Sequence, residues 1–232
     1  VRLLALDTAT ERCSAALWAD ATVTLREAWA PREHARLILP MLEELLREAR
    51  LGGAELDAVA FGRGPGAFTG VRLAVAVAQG LGYAWGKPLI AVSDLQAIAA
   101  QALQEPSSRR VLVCQDARMG EVYWACFDAA EGGALSPLPR GEEALSAPER
   151  VAVPAAWAQG RLPFLGAGSG FEAYPVLRER FAVQLTAVRS ELRPHAREIA
   201  ALAAAAGLAA AVPAAQAQPV YLRERVTSAS SN

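Results

Sequence analysis

The sequence predicts an α/β protein built as two lobes. Three observations carry this expectation. Over residues 1–103, short apolar runs alternate with stretches of helical periodicity in the order βββαβαβα. An apolar run that stops at an aspartate, turns tightly and continues as an alternating strand occurs twice, once at Asp7 and again at Asp116. The chain has 232 residues, 53% of them hydrophobic, enough for one large domain or two small ones with ample core. The division expected is an N-terminal lobe, 1–103, and a smaller C-terminal lobe, 104–232.

Leu3 to Leu6 reads as a buried strand ending at Asp7. The DTATER stretch turns the chain, Cys13, Ala15 and Leu17 alternate as a second strand, and Thr22 to Trp29 completes a meander. A helix begins near Arg32. Its apolar positions Ala35, Ile38, Leu39, Leu42, Leu45, Leu46 and Ala49 recur at intervals of three and four, and Gly52-Gly53 stops it. Leu56 to Phe61 is a buried strand, followed by the glycine-rich run from Gly62 to Gly70 and a helix from about Thr69 to Trp85. Pro88 to Val92 is the next strand and Asp94 to Leu103 the next helix.

The second half repeats the opening. Laid over the first copy at an offset of 109 residues, Asp116 falls on Asp7, Val122 on Cys13, Trp124 on Ala15 and Cys126 on Leu17. Two such halves are what a duplicated ribonuclease-H, actin-like ATPase architecture shows. Strand, aspartate and turn is also a common local arrangement, so the pattern alone leaves duplication and coincidence both open. The Pro/Gly/Ser-rich stretch from Gly132 to Pro154 reads as loop or edge structure. Arg161 to Leu165 reads as a strand opening into Gly166–Gly170, with helices at Phe171 to Phe181 and Pro194 to Ala211. Pro219 to Arg223 is expected to dock as a tail, and TSASSN to be disordered.

A net charge of −1 provides no basic field for nucleic acid, so any service to RNA runs through a partner that supplies the charge. Cys13, Cys114 and Cys126 are odd in number and widely spaced, which suits buried thiols in a reducing cytoplasm. No signal peptide and no uninterrupted apolar run of about 18 residues is present, so the expectation is a soluble, cytoplasmic chain with no membrane segment. His34 and His195 lie far apart with no H-x-x-x-H or C-x-x-C spacing, so no metal is expected. Lys87, the only lysine, sits in a Gly-Lys-Pro turn and is the one weak candidate for covalent catalysis through lysine.

The glycine run has two readings. Its backbone amides could cradle a phosphate at Gly64 and Gly66, with a helix start behind them; or it is a tight strand-to-helix junction. It is not a P-loop, because no Lys-Ser or Lys-Thr follows. Gly62, Gly64 and Ala67 match a loose dinucleotide fingerprint that lacks its acidic partner. Asp7 with Thr8, and Asp116, could hold a magnesium phosphate between the lobes, or simply form turns. Gly166 and Gly168 could cap a base or ribose, or make a structural turn. No cofactor is required, and nucleotide binding at these positions stays open. The helix from Thr69 to Trp85 is apolar nearly all round, so it needs cover on more than one side. Burial in a three-layer monomer supplies that cover, and so does a subunit interface using Leu37 and Met41 of the preceding helix with Arg72, Val75 and Gln79.

LLALDTATERCSAALW, HARLILPMLEELL, FGRGPGAFTGVRLAVAVAQGL, KPLIAVSDLQAIA and QDARMGEVYWACF occur in this order. With GAGSGFEAY and PVYLRERV they resemble the TsaB family over nearly the whole chain. The resemblance implies an actin-like ATPase fold and a non-catalytic place in the complex that forms N6-threonylcarbamoyladenosine beside the tRNA anticodon. There a catalytic D subunit (TsaD) pairs with the B subunit through the two N-lobe helices, a small ATPase (TsaE) joins them, and the B subunit forms a homodimer when alone. The D subunit's H-x-x-x-H metal pair falls here on Asp94 and Ile98, and an isoleucine cannot ligate. An independent nucleotide-using phosphotransferase, motivated by Asp7, Asp116 and the glycines, is the alternative; a dinucleotide-dependent oxidoreductase ranks last.

Overall fold

The computed structural model describes residues 1–105, 108–130 and 136–223. Gly132, the end of PVYLRERV and the TSASSN end lie outside the described residues. The first sheet contains β1 (Leu3–Asp7), β2 (Arg12–Ala19), β3 (Thr22–Trp29), β4 (Ala58–Gly62) and β5 (Leu89–Val92), in the order β3-β2-β1-β4-β5. Its helices are α1 (His34–Ala49), α2 (Phe68–Trp85) and α3 (Asp94–Ala102). The second sheet contains β6 (Arg110–Arg118), β7 (Glu121–Asp128), β8 (Leu138–Pro139), β9 (Ala144–Ser146), β10 (Phe164–Ala167) and β11 (Leu185–Arg189). It runs β11-β10-β6-β7-β8, with β9 also on the outer edge of β7. Short helices α4 (Ala155–Gln159), α5 (Gly170–Ala173) and α6 (Val176–Arg180) are followed by α7 (Ala196–Ala206).

The two sheets share one plan. β1 lies antiparallel to β2 and parallel to β4; β6 lies antiparallel to β7 and parallel to β10. β8 and β9 together take the place of β3, and β11 that of β5. This is the duplicated ribonuclease-H-like, actin-like ATPase fold in two lobes. In the first sheet, Leu4, Leu6, Cys13, Ala15 and Leu17 pack against α1 and α2, while Leu3, Ala5 and Ala16 face α7. In the second, Leu112, Cys114, Val122 and Cys126 face α4–α6, while Val111, Val113, Ala125 and Phe127 face α3. Helices α3 and α7 are therefore exchanged: each follows the last strand of one sheet and covers the other.

The strands of the first sheet end at Val92 and those of the second begin at Arg110, while α7, late in the chain, packs in the core of the first sheet. Alanines make the contact close: Ala5, Ala16, Ala58 and Ala60 of the sheet meet Ala196, Ala200 and Ala203 of α7, all fully buried.

Strand pairing also corrects the superposition of the halves. Leu6 pairs with Ala15 and Asp7 with Ser14, whereas Cys114 pairs with Trp124 and Gln115 with Tyr123. Trp124 does stand for Ala15, but Gln115, not Asp116, stands for Asp7. The second hairpin holds one residue more, accommodated by an irregularity between Asp116 and Arg118. Because strand faces alternate, that one-residue slip points the two aspartates to opposite faces of their sheets.

Other boundaries moved for local reasons. α1 stops at Arg50, which takes a left-handed φ of 55° before the glycines are reached. Residues Gly53–Glu55 form a 3-10 turn, so β4 begins at Ala58. Pro175 breaks the stretch 171–181 into α5 and α6 by holding Tyr174 extended. α7 ends at Gly207, φ 70°, short of Ala211.

Candidate functional site

Thr8, Gly66 and Asp116 line a cleft of about 1040 Å³ between the lobes; Asp7, Gly64, Gly166 and Gly168 are not on its wall. The two aspartates have different work. Asp116 accepts from the Tyr174 hydroxyl at 2.9 Å and from the Arg118 amide at 2.8 Å, and Ser169 Oγ accepts from its amide at 3.0 Å. Asp7 has no exposed surface. Its carboxylate accepts from the Ala9 amide at 2.9 Å, the turn-forming role open to a strand-end aspartate.

Asp7 has a second partner, which the sequence reading missed. Asp94, also fully buried at the start of α3, accepts from the Gly64 amide through Oδ2 at 2.5 Å, while its own amide donates to the Gly64 carbonyl at 3.1 Å. Gly62 lies between the two carboxyls: a Cβ there would meet Asp94 Oδ1 at 2.4 Å and Asp7 Oδ1 at 3.1 Å. Burial raises Asp7 from 3.8 to about 6, against the lowering influence of the Ala9 amide, His195 and Asp94. Burial and then the charge of Asp7 hold Asp94 well above its ordinary value. Two carboxyls in one dry site cannot both ionise cheaply, so burial and mutual charge favour the pair with a proton kept on it. His195, at the start of α7, adds a hydrogen bond from Nε2 to Glu27 at 2.7 Å, and Ser14 Oγ accepts from the Ala196 amide at 2.9 Å. The cluster thus joins β1, α3 and α7 where the lobes meet.

The glycines are pressed against backbone. A Cβ on Gly66 would lie 2.7 Å from Ala9 O, and one on Gly70 2.0 Å from Thr8 O. Thr8 Oγ1 donates to Gly70 O at 2.6 Å, and the Ala67 amide donates to Ala9 O at 2.8 Å. The β1–β2 turn and the start of α2 therefore touch directly. Gly168, φ 95°, sits as close to Cys114 O, where a Cβ would come to 2.5 Å.

Of the residues expected to face a partner, Leu37 and Met41 are half-buried on α1 and Arg72 is exposed on α2. Val75 points the other way, 5% exposed in its own core, and Gln79 donates to Ala217 O at 2.9 Å. The outward stripe of α2 continues instead through Ala76, Gly80 and Tyr83, with spacings of three and four from Arg72. The chain's own segment Ala214–Gln216 supplies part of the cover that this helix needs. Beyond it, Pro219 to Arg223 does dock. The Val220 amide donates to Arg63 O at 2.8 Å, Arg72 Nε donates to Tyr221 Oη at 2.6 Å, and Arg223 donates to Ala117 O at 3.2 Å and to Glu121.

Among the described residues no cluster of three His, Cys, Asp or Glu side chains could hold a metal ion. A family model described as TsaD: tRNA N6-adenosine threonylcarbamoyltransferase matches residues 28–230. The tRNA threonylcarbamoyladenosine biosynthesis protein TsaB of Escherichia coli (strain K12) is 40% identical over 231 residues, 97% of this chain and 96% of that protein. The protein of the same name from Haemophilus influenzae is 46% identical over 123 residues, 53% of this chain and 52% of that one. A solved structure from Pseudomonas aeruginosa, described as an uncharacterized protein with similarity to peptidase YEAZ, superposes with a TM-score of 0.87 at 44% identity, covering 96% of this chain and 99% of that one. YeaZ from Pseudomonas aeruginosa gives 0.86 at 43% identity, over 95% and 99% of the two chains.

Proposed function

This chain belongs to the TsaB family of tRNA threonylcarbamoyladenosine biosynthesis proteins, and from that premise we propose that it is a non-catalytic scaffold subunit. It pairs with a catalytic TsaD-type paralogue, the small ATPase TsaE joins the pair, and tRNA is reached through the partners. The cytoplasm is the compartment this role requires. Among the described residues no helix is long and apolar enough to cross a membrane.

One observation carries the reading. Of the two positions onto which the D subunit's metal-binding histidines fall, Ile98 has no exposed surface and packs in the core between α3 and the second sheet. Asp94, at the other, is fully buried, with Oδ2 taken by the Gly64 amide and the Asp7 carboxyl beside it across Gly62. An isoleucine and one fully buried carboxyl do not make the ligand pair that a catalytic metal needs. The phosphotransferase alternative has no comparable support, because the β1–β2 turn and the start of α2 fill each other's space.

The surface assigned to the partner is the outer face of α1 and α2. Leu37, Met41 and Val77 are half-buried there, Leu39 is 50% exposed, and a Cβ on Gly80 would meet nothing within 4 Å, so apolar side chains and an open backbone position stand on this face. The test is size-exclusion chromatography with light scattering, on the chain alone and mixed with its TsaD-type paralogue. The expected result is a homodimer that converts to a heterodimer. Ala76→Arg, at an exposed position, should block both species without lowering Tm. A chain that stays monomeric and ignores the paralogue would refute the proposal.

A further inference from the structure

The segment 214–223 runs back along α2 and then leaves it for the other lobe. Ala214 lies against Gly82, where an added Cβ would meet the Ala214 Cβ at 3.2 Å, and Gln79 donates to the Ala217 carbonyl at 2.9 Å. Nearer the start of α2, the Val220 amide donates to Arg63 O at 2.8 Å and Arg72 Nε donates to the Tyr221 hydroxyl at 2.6 Å. Two residues later the chain has reached the second sheet. The Arg223 guanidinium donates to Ala117 O at 3.2 Å and to Arg118 O at 3.5 Å, touches Met119 Sδ at 3.5 Å and pairs with Glu121.

The β6–β7 hairpin that Arg223 grips has an unfavoured backbone. Arg118 and Met119 both take left-handed φ, 63° and 57°, a region that residues with side chains seldom enter. Arg223 satisfies carbonyls on the near side of that turn, and Arg118 itself reaches Glu11 of the β1–β2 turn at 3.1 Å. Arg63, whose carbonyl holds Val220, also ties the lobes, because its side chain pairs with Glu143 ahead of β9 at 3.1 Å.

We propose that residues 214–223 form an interlobe latch, a strap that limits how far the two lobes part by tying the outer stripe of α2 to the β6–β7 hairpin. It has one anchor on each lobe. On the first, Arg72 is held against the Phe68 ring at 3.6 Å and bonded to Tyr221; on the second, Arg223 is held by two carbonyls and a carboxylate. Loss of either anchor frees the strap, so the latch opens from either end. It requires no partner chain and no ligand, and it stands apart from the scaffold role.

The Val220 amide reports on the strap, since neither Arg72 nor Arg223 touches it or Arg63 O through a side chain. Arg72→Ala and Arg223→Ala should each speed its hydrogen exchange about fivefold or more, the equivalent of one lost hydrogen bond. The double variant should add little to either alone, because the strap is already released. Spin labels on Arg47→Cys of α1 and Val183→Cys of the second lobe, both exposed while the native thiols are buried, read the distance between lobes. That distance should lengthen and broaden in the released variants and stay unchanged in Arg150→Ala, an exposed position away from the strap. Val220 exchange that ignores Arg223→Ala, or an interlobe distance that ignores release of the strap, would overturn the proposal. Arg223→Lys keeps the charge opposite Glu121 but loses the fork that spans the carbonyls, and it gives the same two readouts where Arg223→Ala fails to fold.

Discussion

Gly70 and Gly80 lie on one helix and show how position decides the effect of the same change. Alanine improves helix propensity over glycine by at most about 1 kcal/mol. At Gly70 the new Cβ would enter within 2.0 Å of Thr8 O, a backbone atom that cannot swing aside. Overpacking of this kind costs ~1–3 kcal/mol, so Gly70→Ala should lower stability by about 2 kcal/mol. Gly80→Ala, meeting nothing within 4 Å, should raise it by up to about 1 kcal/mol. Urea unfolding of the two variants checks both signs. The buried carboxyl pair gives a pH test. Asp7 is raised from 3.8 to about 6, so the folded state keeps a proton that the unfolded chain has already released. Its contribution is full below pH 3.8 and is lost as pH rises through 6. In Asp94→Asn the amide can donate to Asp7 and still accept from the Gly64 amide. That variant should exceed the parent in stability at pH 8 by about 1 kcal/mol or more, with a flatter profile between pH 4 and 7. A steeper profile would refute the shared proton.

Among the elements, the docked tail is the piece most open to direct test. Arg72 lies 3.6 Å over the Phe68 ring, and the Tyr221 ring stands 5.7 Å from Phe68. Tyr221 is 46% exposed, so Tyr221→Ala should cost only about 0.5–1 kcal/mol globally. Hydrogen exchange should nevertheless accelerate at Val220, whose amide holds the tail to Arg63. The sequence disclosed most elements of the first lobe because alternation, helical spacing and strand-end aspartate agree there. β11 went unread because LTAVR is half-buried and carries no clean apolar face. α5 and α6 were read as one helix because the apolar positions continue across Pro175. At the site, the candidate glycines and aspartates were legible as residues but not as contacts. The approach of Asp94 to Asp7 comes from the first sheet, where β1 and β5 run parallel on either side of β4 and bring the residues at their C-terminal ends together across Gly62. The slip that puts Gln115 in Asp7's place follows from one extra hairpin residue. Val75 was misplaced because an all-round apolar helix carries too weak a moment to tell its faces apart.

For the molecule as a whole, the exchange of α3 and α7 governs cooperativity. Each lobe's core is completed by a helix that the other lobe's last strand leads into. The chain should therefore unfold in a single transition, with far- and near-ultraviolet dichroism changing together. A fragment of residues 1–103 should remain unfolded, since Leu3, Ala5, Ala16, Ala58 and Ala60 would face water without Ile199 and its neighbours on α7. An independently folded fragment would count against this account. The same exchange imposes a delay during synthesis. All five strands of the first sheet leave the ribosome before α3 is complete, yet the helix that covers their second face is translated roughly 100 residues later. At about 5–20 residues per second, that leaves an alanine-rich surface uncovered for on the order of 5–20 s, time in which a nascent-chain chaperone can act.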